Sequence, residues 1–382
     1  MARLIRIALI LVLFPALLSA VAGWYGAAGF LHPEKRALTY DMTRDADVTF
    51  AQIGAHREDF DVRAPDGTML RGWKVHAARP NGSWILVFHG VADNRYGMVE
   101  HARMLLQAEY DVVMMDARAH GASDGAMASY GWLERKDTST VIDALEQAEH
   151  PLHLFALGNS MGAGIALQSA GADARIEAVA AEAPFADLQE AAYDYAGLQR
   201  WPTLGKTLFA PGAWTVVYRG ERLAGFPASE VSSIKAVQYR PFPVLLICDG
   251  ADVVLPCRHS EKILRAANGP KELWRVPGAL HTGAMGTAPA EFRRRVIAFF
   301  DRERLSQNQH DLFREFFHTK GLVPNPVPTP AGLVVKKGSK TRCRNVSGIP
   351  GPLSETCGKM RPASLSEVQN EMRPARCVSH RA

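Results

Sequence analysis

Leu152-His-Leu-Phe-Ala-Leu157, followed at once by Gly158-Asn-Ser160-Met-Gly162 and then by Ala163-Gly-Ile-Ala-Leu-Gln-Ser-Ala170, is the stretch on which the fold turns. Its first six residues form a short apolar run, the length of a strand covered on both faces. From Met161 to Ala170 the spacing is helical. A serine stands between, with glycines two places before and two after. A serine hydroxyl is a weak nucleophile and needs a sharp turn to stand proud of a sheet. The glycines let the backbones pass closely there. The same turn aims the Met161 N–H at the hydroxyl, beside a helix N-terminus whose dipole favours developing negative charge.

Working outward, the pattern repeats. Trp84–Phe88, Val112–Met115, Ala178–Ala181, Val244–Cys248 and, more weakly, Glu272–Val276 read as further strands. Helical spacing marks Met98–Ala108, Arg135–Ala148, Cys257–Ala267 and Glu291–Phe300. Upstream, Asp61–Trp73 reads as a hairpin turning at Asp66-Gly67. Such alternation predicts a mainly parallel sheet with helices on both faces, and ligands in such sheets sit at the carboxyl ends of the strands.

The residues after each strand therefore carry the chemistry. His89-Gly90-Val91 follows Trp84–Phe88. A flexible pair there lets the Val91 N–H point into the site as a second oxyanion donor, while the His89 side chain braces the loop. After Val244–Cys248, Asp252 sits three residues into the loop, with Pro256 opening the next helix. It is the expected acid; Asp249, abutting the strand, and Asp187, which suits a helix N-cap, are its rivals. His281 lies in the Gly-rich loop after Glu272–Val276 and stands out among the histidines by position. The order Ser160, Asp252, His281 is that expected when nucleophile, acid and base ride on successive strands.

Together these residues resemble the α/β-hydrolase superfamily, and more narrowly its membrane-anchored single-domain branch, related to monoglyceride lipase and serine aminopeptidase. The resemblance runs from about Phe60 to Phe300 and includes Val87–Gly90, Asp116–Gly125, Gly131 with Glu134 and Asp137, Gly158–Gly164 and Ala183–Phe185. Ala119 stands where the family usually has the first glycine of D-x-R-G-H-G-x-S, and Val91 where it usually has asparagine. It implies an α/β-hydrolase fold: a mostly parallel central sheet, helices on both faces and a small helical cap. Two-step acyl transfer on a small-molecule carboxylic ester is the implied activity, with Ser160, Asp252 and His281 catalytic, Val91 and Met161 as oxyanion donors and His89 and Gly90 at the binding loop. The alternatives are a peptidase releasing amino-terminal residues, with Glu190 and Asp194 holding an ammonium, and a binding protein that kept the fold.

Composition bounds the rest. With 382 residues, 47% hydrophobic and 22% charged, 32 Gly, 23 Pro and 5 Cys, the chain is neither a disordered, a collagenous nor a small disulfide-stapled protein. Residues 320–382 hold 11 Lys/Arg against 3 Asp/Glu, so residues 1–319 carry −3 of the whole chain's +5. The basic excess thus belongs to an aperiodic tail expected to be disordered, and the body asks for no nucleic-acid partner. Neither HExxH nor paired CxxC appears, and no metal or other cofactor is expected. Cys248 and Cys257 are the body's cysteines, with Cys343, Cys357 and Cys377 in the tail.

Residues 1–31 read as a transmembrane anchor or a signal peptide. The run Ile7–Leu31 has no charged residue, and about 20 apolar residues cross a bilayer. Trp24 and Tyr25 suit an interfacial belt and a retained anchor; Ala20-Val-Ala22 suits cleavage and release. A short amino terminus left inside places the body, residues 32–319, outside the cytoplasm as a single-pass membrane protein. Residues 188–240 read as the cap, whose aromatics Tyr193, Tyr195, Trp201, Phe209, Trp214, Tyr218, Phe226 and Tyr239 could line an acyl pocket or glue the cap to the sheet.

Overall fold

Alternation along the apolar runs builds the centre of the protein, which is seen in a computed structural model that describes residues 1–195 and 207–319. Trp201 and the tail with its three cysteines lie outside the described residues. Eight strands form one sheet: β1 (His56–Arg63), β2 (Met69–His76), β3 (Ser83–Phe88), β4 (Asp111–Met115), β5 (His153–Asn159), β6 (Ala178–Glu182), β7 (Val244–Asp249) and β8 (Lys271–Val276). Their order is β1-β2-β4-β3-β5-β6-β7-β8. β2 is antiparallel to β1 and to β4, and the other neighbours are parallel. The β1–β2 turn sits at Asp66-Gly67, where Asp66 accepts the Thr68 N–H at 3.0 Å.

Successive residues of the inner strands face opposite layers. Ile85, Val87, Phe155, Leu157, Leu245 and Ile247 pack into one core. That core is completed by α2 (Tyr40–Ala51), α3 (Val99–Leu106), the short α10 (Ala284–Thr287) and α11 (Pro289–Thr319). Trp84, Leu86, Leu154, Ala156, Val244 and Leu246 face the other core. There they meet α4 (Glu134–Glu149), α5 (Met161–Ala172), α8 (Ser233–Tyr239) and α9 (Arg258–Ala266). The sheet is buried on both sides, which is why its strands read as continuous apolar runs.

Three differences from the sequence reading have physical causes. Helix α2 is present where no element was expected; Thr39 caps it by accepting the Met42 N–H at 3.2 Å, and Ala46 and Phe50, four apart, are its buried face. Helix α11 runs on past Phe300, where the apolar stripe gives way to polar anchors. Tyr110 donates to Asp301 at 2.8 Å, Arg302 pairs with Glu272 at 2.7 Å, and His153 meets Asn308 at 2.9 Å. Between β6 and β7 the described residues form α6 (Leu188–Tyr195), α7 (Ala210–Ala224) and α8. α8 packs on α5 against the sheet, whereas α7 packs along α1 (Ala2–Leu31).

The register Phe88↔Gly158 sets the loop after β3 beside the turn after β5. The strand order reverses here, the usual place for a ligand crevice. The neighbouring Asp116–Gly125 stretch folds into a brace. Asp116 accepts the Arg95 backbone N–H and its guanidinium, each at 2.7 Å, and Arg118 binds Asp137 through two bonds at 2.7 and 2.6 Å. Ala119 lies in this brace at φ 59, a left-handed conformation costly for a residue with a Cβ. Ala119→Gly should therefore raise the unfolding free energy by about 0.5–1 kcal/mol, after allowing for the looser unfolded chain. The denaturant midpoint at unchanged slope measures it; an unchanged or lower midpoint contradicts the strain.

Candidate active site

Ser160 has φ 51 and ψ −117, a strained backbone that persists only where its surroundings impose it. Here two hydrogen bonds impose it: the Ser160 N–H donates to the Glu182 carbonyl at 2.9 Å, and the Gly164 N–H donates to the Ser160 carbonyl at 3.2 Å. Any Cβ at Gly158 would press on the Gly162 carbonyl, and one at Gly162 on the carbonyls of Phe88 and His89. Both glycines are thus required by close backbone passage. The turn leaves Ser160 at the N-terminus of α5.

The loops after β7 and β8 bring two more side chains to it. His281 Nε2 lies 2.8 Å from Ser160 Oγ, and His281 Nδ1 lies 2.7 Å from Asp252 Oδ2. A carboxylate only accepts, so Nδ1 carries the proton and Nε2 is left to accept from the serine. The other Asp252 oxygen accepts the N–H groups of Val254 at 2.7 Å and Leu255 at 3.0 Å. The Asp252 side chain is fully buried, whereas 24% of the imidazole is exposed toward solvent. Loop to loop, Ala251 donates to the Ala279 carbonyl and Gly250 to that of Val276, both at 2.8 Å. A disulfide between Cys248 and Cys257, with Cα atoms 5.2 Å apart, ties the two ends of the Asp252 loop. Nothing in the sequence reading paired these cysteines.

Beneath the histidine loop lies a second carboxylate layer that the sequence reading also missed. Glu182 accepts the Ala284 N–H at 2.9 Å, with His101 at 3.8 Å from its other oxygen. Asp249, the rival acid, lies in this layer; it is Asp252 that meets His281. Burial, then the negative charges of Glu182 and Asp252, push the Asp249 carboxyl up to about 8. Asp187, the other rival, accepts the Glu190 N–H at 2.8 Å and so caps α6.

His89 is committed to its loop: Nε2 accepts the Ala117 N–H at 3.0 Å, so Nδ1 donates to the Gly90 carbonyl at 2.7 Å. Gly90 packs beside Ser160. Val91, Ser160 and Met161 line one cleft of about 320 Å³. Its apolar walls come from Phe30, Tyr130, Phe185, Leu188, Ala191 and Leu255, and Glu34 is its charged lining residue. Among the described residues of 188–240, Leu188 and Ala191 reach the cleft, whereas Trp214, Tyr218 and Phe226 do not. Phe226 instead stacks on Trp132 with ring centres 6.1 Å apart, and Trp214 stacks on Tyr218 at 5.5 Å.

Glu190 and Asp194 are occupied by cations. Glu190 pairs with Arg258 at 3.0 Å and Lys262 at 2.5 Å; Asp194 pairs with Arg258, and with His259 Nε2 at 2.6 Å. These two acids and His259 are close enough to share an ion. However, His259 Nδ1 accepts the Ala186 N–H at 3.1 Å and Nε2 donates to Asp194, so no ring lone pair remains for a metal.

Residues 79–241 match a family model described as serine aminopeptidase, S33. In structure, the chain is similar to an esterase of Pyrococcus furiosus, with a TM-score of 0.56 and 20% identity over 71% of this chain and 99% of that one. The chain has the α/β-hydrolase fold. Among curated relatives, uncharacterized protein YqkD of Bacillus subtilis is 28% identical over 268 residues, 68% of this chain and 84% of that protein. Uncharacterized protein YfhR of Escherichia coli is 28% identical over 251 residues, 63% and 80% of the two chains.

The raised Asp249 carboxyl has a stability consequence with a defined sign. Between its ordinary value of 3.8 and about 8, the folded protein holds a proton that the unfolded chain has lost. Stability from this group therefore declines as pH climbs through that interval, and the penalty is complete above it. Asparagine mimics the protonated acid and does not titrate. The melting temperature of Asp249→Asn, relative to wild type, should thus rise between pH 5 and pH 9; a difference independent of pH contradicts the assignment.

Proposed function

We propose that this α/β-hydrolase is a membrane-anchored serine hydrolase that cleaves carboxylic esters of lipid-like or acyl type. One observation carries the reading: Ser160 Oγ, His281 Nε2, His281 Nδ1 and Asp252 Oδ2 form an unbroken hydrogen-bonded relay, at 2.8 and 2.7 Å, beside an apolar cleft. His281 takes the serine proton as Oγ attacks the ester carbonyl, and Asp252 stabilises the imidazolium. The oxyanion is held by the N–H groups of Met161 and Val91 at the N-terminus of α5, where the helix dipole adds to their effect. His281 returns the proton to the departing alcohol. Water, activated by the same imidazole, then attacks the acyl-enzyme and releases the acid.

The anchor reading is supported by α1, which is long and apolar enough to cross a membrane, with a mean hydropathy of 2.6 in its most apolar window. An extracytoplasmic body is supported by the Cys248–Cys257 bond, because disulfides persist in oxidising compartments. The peptidase alternative draws on the description of the matched family. Against it stand the cation-paired Glu190 and Asp194; Glu34 is the carboxylate left to meet a substrate ammonium at the cleft.

A fluorophosphonate probe should label the wild-type protein once, and Ser160→Ala should abolish labelling. Asp252→Asn should lower kcat for p-nitrophenyl butyrate by about 10⁴-fold through the wrong imidazole tautomer. Unaltered ester turnover in either variant would instead favour a binding protein on this fold. Acyl glycerols should protect Ser160 from the probe better than dipeptides; the reverse order, lost in Glu34→Gln, would establish the peptidase.

A further inference from the structure

We infer that the C-terminal end of α1 is a working wall of the acyl site, that Phe30 sets the acyl-chain length, and that the ester is an amphiphile taken from a lipid surface. The inference rests on the ester-hydrolase reading above and deepens it. Its first support is the cleft itself, in which Gly29, Phe30, Pro33 and Glu34 line the same space as Ser160. These residues are held in register with the body. The Phe30 ring stacks on Tyr130 with centres 4.7 Å apart, the Tyr130 hydroxyl donates to the Phe30 carbonyl at 2.5 Å, and the Ala128 N–H donates to the Leu31 carbonyl at 2.9 Å. Leu31 is buried with Met161, the residue next to the nucleophile, in one apolar cluster. A side chain fixed this way bounds whatever apolar chain extends from Ser160.

The second support is the seam between α1 and α7. Small residues let the helices meet: a Cβ at Gly23 would strike the Gly212 carbonyl. Three hydrogen bonds follow up the seam in parallel register. The Gly212 N–H donates to Ser19 Oγ at 2.9 Å, Thr215 Oγ1 to the Ala20 carbonyl at 3.0 Å, and Arg219 to the Trp24 carbonyl at 2.7 Å. Val217 and Ala224 of α7 join the cluster that holds Leu31 and Met161, so the seam is continuous with the cleft wall.

Polarity along the seam points to a lipid surface. In the first half of α1, Leu9, Ile10, Leu11, Val12, Leu13 and Phe14 are exposed. Higher up, Trp24, Tyr25, Trp214 and Tyr218 stand exposed on the two adjoining helices. Arg219 covers the Trp24 ring at 4.5 Å and Arg222 the Tyr218 ring at 4.9 Å. Naked apolar helix, then aromatics, then arginines is the order of a bilayer from core to headgroups. The mouth of the acyl cleft therefore sits at headgroup depth. An acyl chain can pass from the lipid into the cleft along Phe30 without crossing water.

The test uses the full-length protein in phosphatidylcholine vesicles, with p-nitrophenyl butyrate and p-nitrophenyl dodecanoate as substrates. Relative to wild type, the dodecanoate-to-butyrate ratio of kcat/KM should rise about tenfold in Phe30→Ala and fall about tenfold in Phe30→Trp, the scale of a methylene accommodated or refused by an apolar pocket. A ratio that stays put in both variants, or moves the same way in both, overturns the role of Phe30. Gly23→Leu, which parts the seam, should lower the vesicle-borne dodecanoate rate at least fivefold more than the rate on the same ester in detergent micelles. Equal loss in the two media overturns delivery from the lipid surface. Fluorophosphonate labelling of wild type separates the two levels: no labelling sinks the ester-hydrolase reading, whereas labelling with an unmoved ratio sinks this inference alone.

Discussion

The hydrogen bond from the Ser160 N–H to the Glu182 carbonyl closes the strained turn, and the geometry of the site follows from it. Through this bond the end of β6 dictates where the hydroxyl points. The Glu182 side chain then reaches the other way and holds the Ala284 N–H, at the far end of the histidine loop. One residue at one strand end thereby places both Ser160 and the His281 loop. Neither loop needs its own internal rigidity, because each is fastened to the same strand. The strain at Ser160 is tolerable since sheet register, two close-passing glycines and the start of α5 all enforce it.

Electrostatics around the histidine divide into two layers. Asp252 accepts two backbone N–H groups through one oxygen and faces the imidazole with the other. Beneath it, Asp249 is held protonated by burial and by its acidic neighbours. Two aspartates three residues apart thus meet different surroundings: one faces the imidazole, the other is buried among acidic neighbours. Protonated, Asp249 adds no negative charge of its own beneath the histidine loop.

Much of this was legible in the sequence, and the reason is local. Each strand is a continuous apolar run because both faces are covered, and the residues that matter follow strand ends by a fixed few positions. Ser160, Asp252 and His281 could be picked out by that rule before any contact was known. Other features depend on which strand ends lie side by side, which no single stretch records. Glu182 reads as the polar end of β6, and its two bonds emerge only with the register to β5 and β7. Cys248 and Cys257 stand nine residues apart and pair because the Asp252 loop folds back between them. Phe30 read as membrane-spanning sequence, yet it turns inward to line the cleft, while Trp214 and Tyr218 stack on each other and Phe226 on Trp132. Helix α2 alone had an overlooked local signal, in Thr39 as cap and in the Ala46–Phe50 spacing.

The account stands or falls on covalent chemistry at Ser160. Rapid acid quench of the wild-type protein with p-nitrophenyl butyrate, followed by peptide mass analysis, tests it most directly. A butyryl mass on the peptide that contains Ser160, formed in a burst matching the enzyme concentration, is the predicted result. Turnover of the ester with no acylated peptide at any quench time would contradict it.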